Sequence, residues 1–253
     1  MPDAAMTQEP VFEARAVTKS FASLRAVDGC SFVVEKGAIV GLIGPNGAGK
    51  TTLFDIASGA TKLDSGQILF RGEDISALKP HQRALKGLGR TFQLTRVFPK
   101  MTLMENMFVA SPSDHRLHER AREYLDLVQL ADRRHEYASD LSYGQQKLLE
   151  LARILMLDPE LILLDEPAAG VNPTLLKSLL AFIHELRDEW GKTFLIIEHN
   201  MNLVMGHCDK VVVMSAGSVI AEGAGEEIQA NEEVLEAYFG KSTHTQGRAG
   251  HGA

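Results

Sequence analysis

Along the chain, short runs of consecutive apolar residues alternate with stretches in which apolar residues recur every three or four positions. Ala38-Ile-Val-Gly-Leu-Ile43 is apolar throughout and ends at a glycine-rich turn. Leu161-Ile-Leu-Leu164 ends at Asp165, Phe194-Leu-Ile-Ile197 ends at Glu198, and Lys210-Val-Val-Val-Met214 ends at the turn Ser215-Ala-Gly-Ser218. Runs with no polar face suit strands of a sheet covered by helices on both sides. Val219-Ile-Ala221 follows the turn and is expected to return as a hairpin partner.

Between Pro99 and Leu157 the period is helical. Glu119 to Leu130 puts Ala121, Tyr124, Leu125 and Val128 on one face. Ser142 precedes a run with Leu148, Leu149, Ala152 and Leu155. A serine there is a good N-cap, because its hydroxyl accepts from free N–H groups of the first turn. Asp158-Pro159 stops that helix, since the residue before proline is pushed out of the α region. These patterns lead to one α/β domain over residues 11–241, with a core at 11–93 and 159–241 and a helical subdomain inserted at 94–158. Residues 1–10 and 242–253 are expected to be flexible tails.

Composition adds exclusions. Lys plus Arg number 26 against 33 Asp plus Glu, a formal charge of −7. That gives no support for nucleic-acid binding, which needs a basic face, although a local patch remains open. Cys30 and Cys208 form no CxxC pair and are expected to be reduced and largely buried. Met1 to Pro10 lacks the basic-then-apolar pattern of a secretory signal. No stretch reaches the roughly 18 uninterrupted apolar residues of a membrane helix, so work at a membrane would require partners. His244 and His251 in the glycine-rich tail have nothing to hold them at ligand spacing.

The chemistry begins at Gly44-Pro45-Asn46-Gly47-Ala48-Gly49-Lys50-Thr51-Thr52, which fits the phosphate-loop pattern G-x4-G-K-[ST] between a strand and a helical run. Glycines let the backbone wrap closely around phosphate oxygens, the loop N–H groups make a concave anion site, and the helix dipole adds to it. Lys50 is expected on the β- and γ-phosphates and Thr51 on Mg²⁺. Leu161-Ile-Leu-Leu-Asp165-Glu166 would put carboxylates at the edge of the sheet where ligands bind. Asp165 is expected to hold Mg²⁺ through water, and Glu166 to act as general base near the attacking water. Together these motifs indicate a P-loop NTPase.

Leu141-Ser142-Tyr143-Gly144-Gln145, upstream of Asp165, resembles the LSGGQ signature of ATP-binding cassette (ABC) ATPases, with Tyr143 where Gly is usual. The fold implied is a RecA-like core with a mixed sheet, an N-terminal antiparallel β part and the inserted helical subdomain. In that family Ser142 and Gly144, with Gln145, would face the γ-phosphate bound by the opposite subunit. The resemblance extends to Gln93 in Gly89-Arg-Thr-Phe-Gln93 as the Q-loop residue contacting Mg²⁺ and water, and to His199 as the switch histidine. It makes Phe21 the aromatic that stacks on adenine, and Ala169-Gly-Val-Asn172 the D-loop, with Asn172 in place of Asp. By themselves Phe21 could be core packing and His199 structural. Details around Gln93, Ser142, Asp165 and His199, and Ile220-Ala-Glu-Gly223, resemble the ATPases of high-affinity branched-chain amino-acid importers. Urea and amide importers and lipopolysaccharide exporters carry close relatives.

The resemblance implies ATP and Mg²⁺ as cofactors. It implies a head-to-tail dimer with a second ABC ATPase subunit, identical or homologous, and two transmembrane permease subunits served by an extracytoplasmic binding protein. The location implied is peripheral, at the cytoplasmic face of the membrane. A soluble ABC ATPase without permease and a non-hydrolysing binding module are the other classes. The first usually carries two cassettes or a coiled-coil insertion, and intact Lys50, Asp165, Glu166 and His199 argue against the second. Leu94 to Met107 carries Val97, Phe98, Met101 and Met104, much apolar surface for a loop unless something covers it. In related transporters this region receives the permease coupling helix; alternatively Phe98 or Met101 belongs to the core of the helical subdomain.

Overall fold

The computed structural model describes residues 10–92, 95–110 and 116–239. The expectations for Gln93, the C-terminal tail, and His244 and His251 fall outside the described residues. The chain opens with a long hairpin, β1 (Pro10–Phe21) and β2 (Leu24–Glu35). β1 also pairs with β4 (Ser65–Phe70), which pairs with β5 (Glu73–Asp74), giving a four-stranded antiparallel sheet of order β2-β1-β4-β5. In β2, Cys30, Phe32 and Val34 are buried and the residues between are more exposed, the period-two pattern of a strand with one covered face.

The second sheet is assembled from distant parts of the chain. Its strands are β3 (Ile39–Ile43), β6 (Leu88–Arg90), β7 (Leu161–Asp165), β8 (Thr193–Ile197), β9 (Lys210–Ser215) and β10 (Ser218–Gly223). Their order is β10-β9-β3-β8-β7-β6, parallel except for the antiparallel β9–β10 hairpin. The apolar runs become β3, β7, β8 and β9, and the hairpin partner expected at Val219-Ile-Ala221 is β10.

Both faces of this sheet are covered, which is why its strands read as continuous apolar runs. Leu161 and Leu163 join Val40, Leu42, Leu195 and the N-terminal sheet in one core, together with α1 (Lys50–Ser58). Ile162 and Leu164, pointing the other way, join Ile39, Phe194 and Ile196 in a second. That second core is filled from α3 (Leu103–Phe108), α4 (Leu117–Leu127), α5 (Tyr143–Leu155) and α6 (Pro173–Asp188). Ala121, Tyr124, Leu125 and Val128 are all buried there, as the helical period required. A third core joins Ile43, Val211 and Val213 to α7 (Met201–His207), α8 (Gly225–Ala230) and α9 (Glu232–Phe239).

The short α2 (Pro80–Leu85) contributes a feature that no apolar pattern announces. Arg83 is 1% exposed and donates from Nη1 to Ile56 O at 2.6 Å and Ala57 O at 2.7 Å, carbonyls in the last turn of α1. Burial pushes its guanidinium down to about 10. A cation there meets the negative end of the α1 dipole and adds a donor to last-turn carbonyls, of which Ile56 O also accepts from Gly59 N.

Candidate nucleotide site

Register decides what meets at the sheet edge. Ile43 pairs with Val213, Leu42 with Ile197, and Ile197 with Asp165, so β3, β7 and β8 end side by side. The residues just beyond those ends, Gly44, Glu166 and Glu198, are therefore delivered to one edge. This is the carboxyl edge at which open α/β sheets bind ligands.

The turn from Gly44 to Gly49 leads into α1, whose first residue is Lys50. Its glycines are required by close approach. A Cβ on residue 44 would stand 2.1 Å from Met214 O, and one on residue 49 would stand 2.2 Å from Ala26 O, with φ +99° besides. Ala48 is buried, whereas Pro45, Asn46 and Gly47 are less enclosed. Lys50 is 6% exposed, and its Nζ donates to Gly44 O at 2.7 Å and Pro45 O at 3.0 Å. Burial lowers the pKa of its ammonium, and the charges of Glu166 and Asp165 oppose that shift. Thr51 is exposed and Thr52 half-buried at the first turn of α1.

Asp165, the last residue of β7, is 5% exposed and lies 3.5 Å from Arg90 Nη2. Burial raises its pKa, the Arg90 charge opposes this, and Glu166 adds to it. Arg90 also binds Asp55 Oδ1 and Ser58 Oγ, each at 2.7 Å. Glu166 has φ +47°, a left-handed backbone that non-glycine residues rarely adopt. His199 Nε2 lies 2.7 Å from Glu166 Oε1. The neighbouring Glu198 is buried; its carboxylate accepts from Ala168 N at 2.8 Å and from His199 N at 3.2 Å. Burial raises its pKa against those N–H groups.

Lys50, Asp165, Glu166 and His199 are thus brought together. Ser142, Gly144 and Gln145 are not brought to them: their contacts lie elsewhere. Ser142 caps α5, with Gln145 N donating to Ser142 Oγ at 3.4 Å and Ser142 N donating to Gln145 Oε1 at 3.0 Å. This is a reciprocal capping box. Arg133 Nη1 steadies the same Gln145 oxygen at 3.1 Å. Gly144 is dictated by α6, since a Cβ there would stand 2.4 Å from Leu175 Cδ2. Asn172 caps α6, its Oδ1 accepting from Leu175 N at 2.9 Å. Phe21 ends β1 at 49% exposure, which disposes of the core-packing alternative.

Several residues of this region were not singled out in the sequence. Arg90, Lys147, Glu150 and Glu198 are charged side chains in buried positions. Lys147 Nζ donates to Glu166 O at 2.7 Å and to Pro167 O at 3.3 Å, tying α5 to the end of β7. Glu150 Oε1 accepts from Arg96 N at 3.2 Å, and burial raises its carboxyl to about 7. For Lys147 and Glu150 the only signal available was a charge falling on the inward face of a helix; Arg90 and Glu198 sit at strand ends, where no period marks them.

The arrangement suits a polyphosphate. The Lys50 ammonium sits at the mouth of a helix N-terminus, held by two loop carbonyls that an anion can replace. The donor set also suits Mg²⁺. Among the described residues no cluster of three or more His, Cys, Asp or Glu could hold a metal ion. One carboxylate and one hydroxyl, Asp165 and Thr51, are the sparse hard-oxygen set of an ion that also binds substrate phosphates.

Comparison with known proteins identifies the family. A family model described as ABC transporter matches residues 27–169, and one described as Branched-chain amino acid ATP-binding cassette transporter matches residues 218–244. The chain is 40% identical to the high-affinity branched-chain amino acid transport ATP-binding protein BraF of Pseudomonas aeruginosa, over 92% of this chain and 99% of that protein. It is 38% identical to LivG of Escherichia coli, described in the same words, with the same coverage. Among solved structures, a nucleotide-free ATP-binding cassette from an ABC transporter superposes with a TM-score of 0.85 at 34% identity, covering 92% of this chain and all of that one. The ADP conformation of such a cassette matches equally well.

Proposed function

The chain belongs to the ATP-binding subunits of ABC transporters and is an ATPase of that family, and from that premise we propose that it powers import of branched-chain amino acids. The observation that carries the cargo is similarity along the whole length to ATPases of branched-chain amino acid transport, the C-terminal residues included. No helix among the described residues is long and apolar enough to cross a membrane. The subunit works bound to two permease subunits at the cytoplasmic face, fed by an extracytoplasmic binding protein.

Within the proposal, ATP lies between the Lys50 loop of one subunit and the Ser142 turn of another. Lys50 and the loop N–H groups hold the β- and γ-phosphates, and Phe21 stacks on the adenine. Thr51 and Asp165, with Gln93, would hold Mg²⁺, which when bound would supply charge neutralisation on the phosphate oxygens. Glu166 takes the proton of the attacking water, and His199, hydrogen-bonded to it at 2.7 Å, fixes the orientation of that carboxylate. The Ser142 hydroxyl and the Gly144 N–H complete the site across the interface. The segment before α3 meets the permeases. There Phe98 is 43% exposed, while Asn106 holds the backbone beneath it, accepting from Phe98 N at 2.8 Å and donating to Phe98 O at 3.0 Å.

The test is reconstitution of the full transporter in vesicles with its binding protein. ATP-dependent uptake of labelled leucine, isoleucine or valine is expected, with phosphate release rising when the loaded binding protein is added. Uptake of urea or short amides instead, or extraction of lipopolysaccharide, would overturn the cargo. Phosphate release with no membrane partner retained would overturn the transporter role.

A further inference from the structure

Glu166, the carboxylate assigned to the attacking water, stands on a backbone that a glutamate does not favour. Its φ is +47°, in the left-handed region, and such a residue persists where its surroundings over-determine it. The peptide groups on either side are both held. Glu166 N donates to Ile197 O at 3.0 Å, which ties it to the end of β8. Glu166 O accepts from Ala169 N at 3.1 Å within its own turn, and from Lys147 Nζ at 2.7 Å. The lysine reaches in from α5 and is 7% exposed. Its Nζ also donates to Pro167 O at 3.3 Å and lies 5.3 Å from the centre of the Tyr143 ring. That ring is close against Gly170, where a Cβ would stand 3.0 Å from Tyr143 Cε1. Burial lowers the pKa of the ammonium, and the charges of Glu198, Glu150, Glu166 and Asp165 oppose that shift. A methionine of similar shape would fill the space without the cost of burying a charge, so packing alone does not call for an ammonium here.

We propose that Lys147 is a positioning residue for hydrolysis: by holding the Glu166 carbonyl it fixes the backbone from which the Glu166 carboxylate is aimed at the attacking water. Carbonyl and carboxylate belong to one residue, and the rotamers open to a side chain depend on its backbone torsions. A rotation of that peptide would move the carboxylate away from the water and from His199 Nε2, now at 2.7 Å. A misplacement of about 1 Å at a reacting group can cost about 10²-fold in rate. The Lys147 hydrogen bonds go to Glu166 and Pro167 and not to the Gly44–Thr52 loop, so ATP affinity should not follow. This rests on reading Glu166 as the general base.

Lys147→Met keeps the stem and removes the ammonium. In the full-length chain, kcat, the ATP dissociation constant and the melting temperature are compared with wild type, alone and in the Glu166→Gln background. The expected result is a kcat lowered about ten- to hundredfold with Kd for ATP within about twofold of wild type. Added to Glu166→Gln, the same substitution should cost nothing more, because the lysine acts through that carboxylate. Unchanged kcat in a folded variant would overturn the proposal. So would an equal loss in both backgrounds, or a Kd that rises as far as kcat falls. Near-normal hydrolysis by Glu166→Gln alone would instead overturn the reading of Glu166. Lys147→Gln, neutral but still offering an N–H, serves where the Met variant does not fold and is read in the same way. If neither folds, Lys147 is a structural tie and the proposal falls.

Discussion

Two turns lead into helices near the candidate site, one at Gly49 before α1 and one at Ser142 before α5, and they differ in what surrounds them. The first is enclosed. Its glycines press on backbone carbonyls of β2 and β9, its lysine is 6% exposed, and charged groups from β7 face it. The second is open. Ser142 is exposed, and its hydrogen bonds stay within its own first turn. A turn that binds unaided must be prebuilt by its neighbours. A turn that acts on a ligand held by another molecule must be stiff but uncovered, and a capping box supplies that stiffness locally.

Changing the enclosed side at its reactive carboxylate should have the largest effect. Glu166→Gln is expected to lower turnover by on the order of 10²–10⁴ while ATP affinity persists, since Lys50 and the loop remain. Phosphate release and particle size with ATP would be measured, and an ATP-bound dimer should accumulate. Near-normal hydrolysis would remove Glu166 from the role. On the open side, Ser142→Arg should lower turnover about 10²-fold, as loss of a transition-state donor does, yet leave ATP binding by the monomer intact. Loss of monomer binding with dimerisation retained would reverse the assignment of the two turns.

The third test asks how the open side is anchored. Glu150, on the buried face of α5, lies near Lys147 and Arg153 of the same helix and takes up its proton at about 7. An unfolded glutamate does so at about 4.3. Between those values the folded chain binds more protons, so this group's contribution to stability falls as pH rises through the window. Glu150→Gln should therefore be more stable than wild type above pH 7, by up to about 4 kcal/mol, and equal to it near pH 4. Melting temperatures across pH would show this; a parallel offset at every pH would mean that Glu150 does not titrate there. The smallest effect should come from Phe98→Asp. At 43% exposure the ring is a surface group, so the melting temperature and basal ATPase of the isolated subunit should hold, within about 0.5 kcal/mol. Binding to the permeases should be lost. A destabilised variant would return Phe98 to the core.

Much of this was legible in the residue pattern because it depends on period and spacing. The parallel strands read as apolar runs because helices cover both faces, and the cap at Ser142 is a local device. The meeting of Glu166 with His199 follows from strands that both end in acidic pairs or neighbours, though their 2.7 Å separation required the register. What stayed hidden was tertiary. Arg83, Arg90 and Lys147 have the composition of surface residues, and only the fold reveals the carbonyls and carboxylates that accept them. β6 is three residues long and contains a glycine, too brief for any period to register.

The fastening of α5 by Lys147 has a mechanical consequence. Its ammonium, on a flexible four-carbon stem, grips the carbonyls of Glu166 and Pro167 with protons that can swing. A guanidinium would set the angle through its planar fork; an ammonium sets only the distance. The helix behind Ser142 is thus attached to the strand end by a swivel. Rotation about that point keeps both bonds, whereas translation away from it breaks them. A shift of the strand end would therefore carry the helix with it while leaving the angle of the Ser142 turn free.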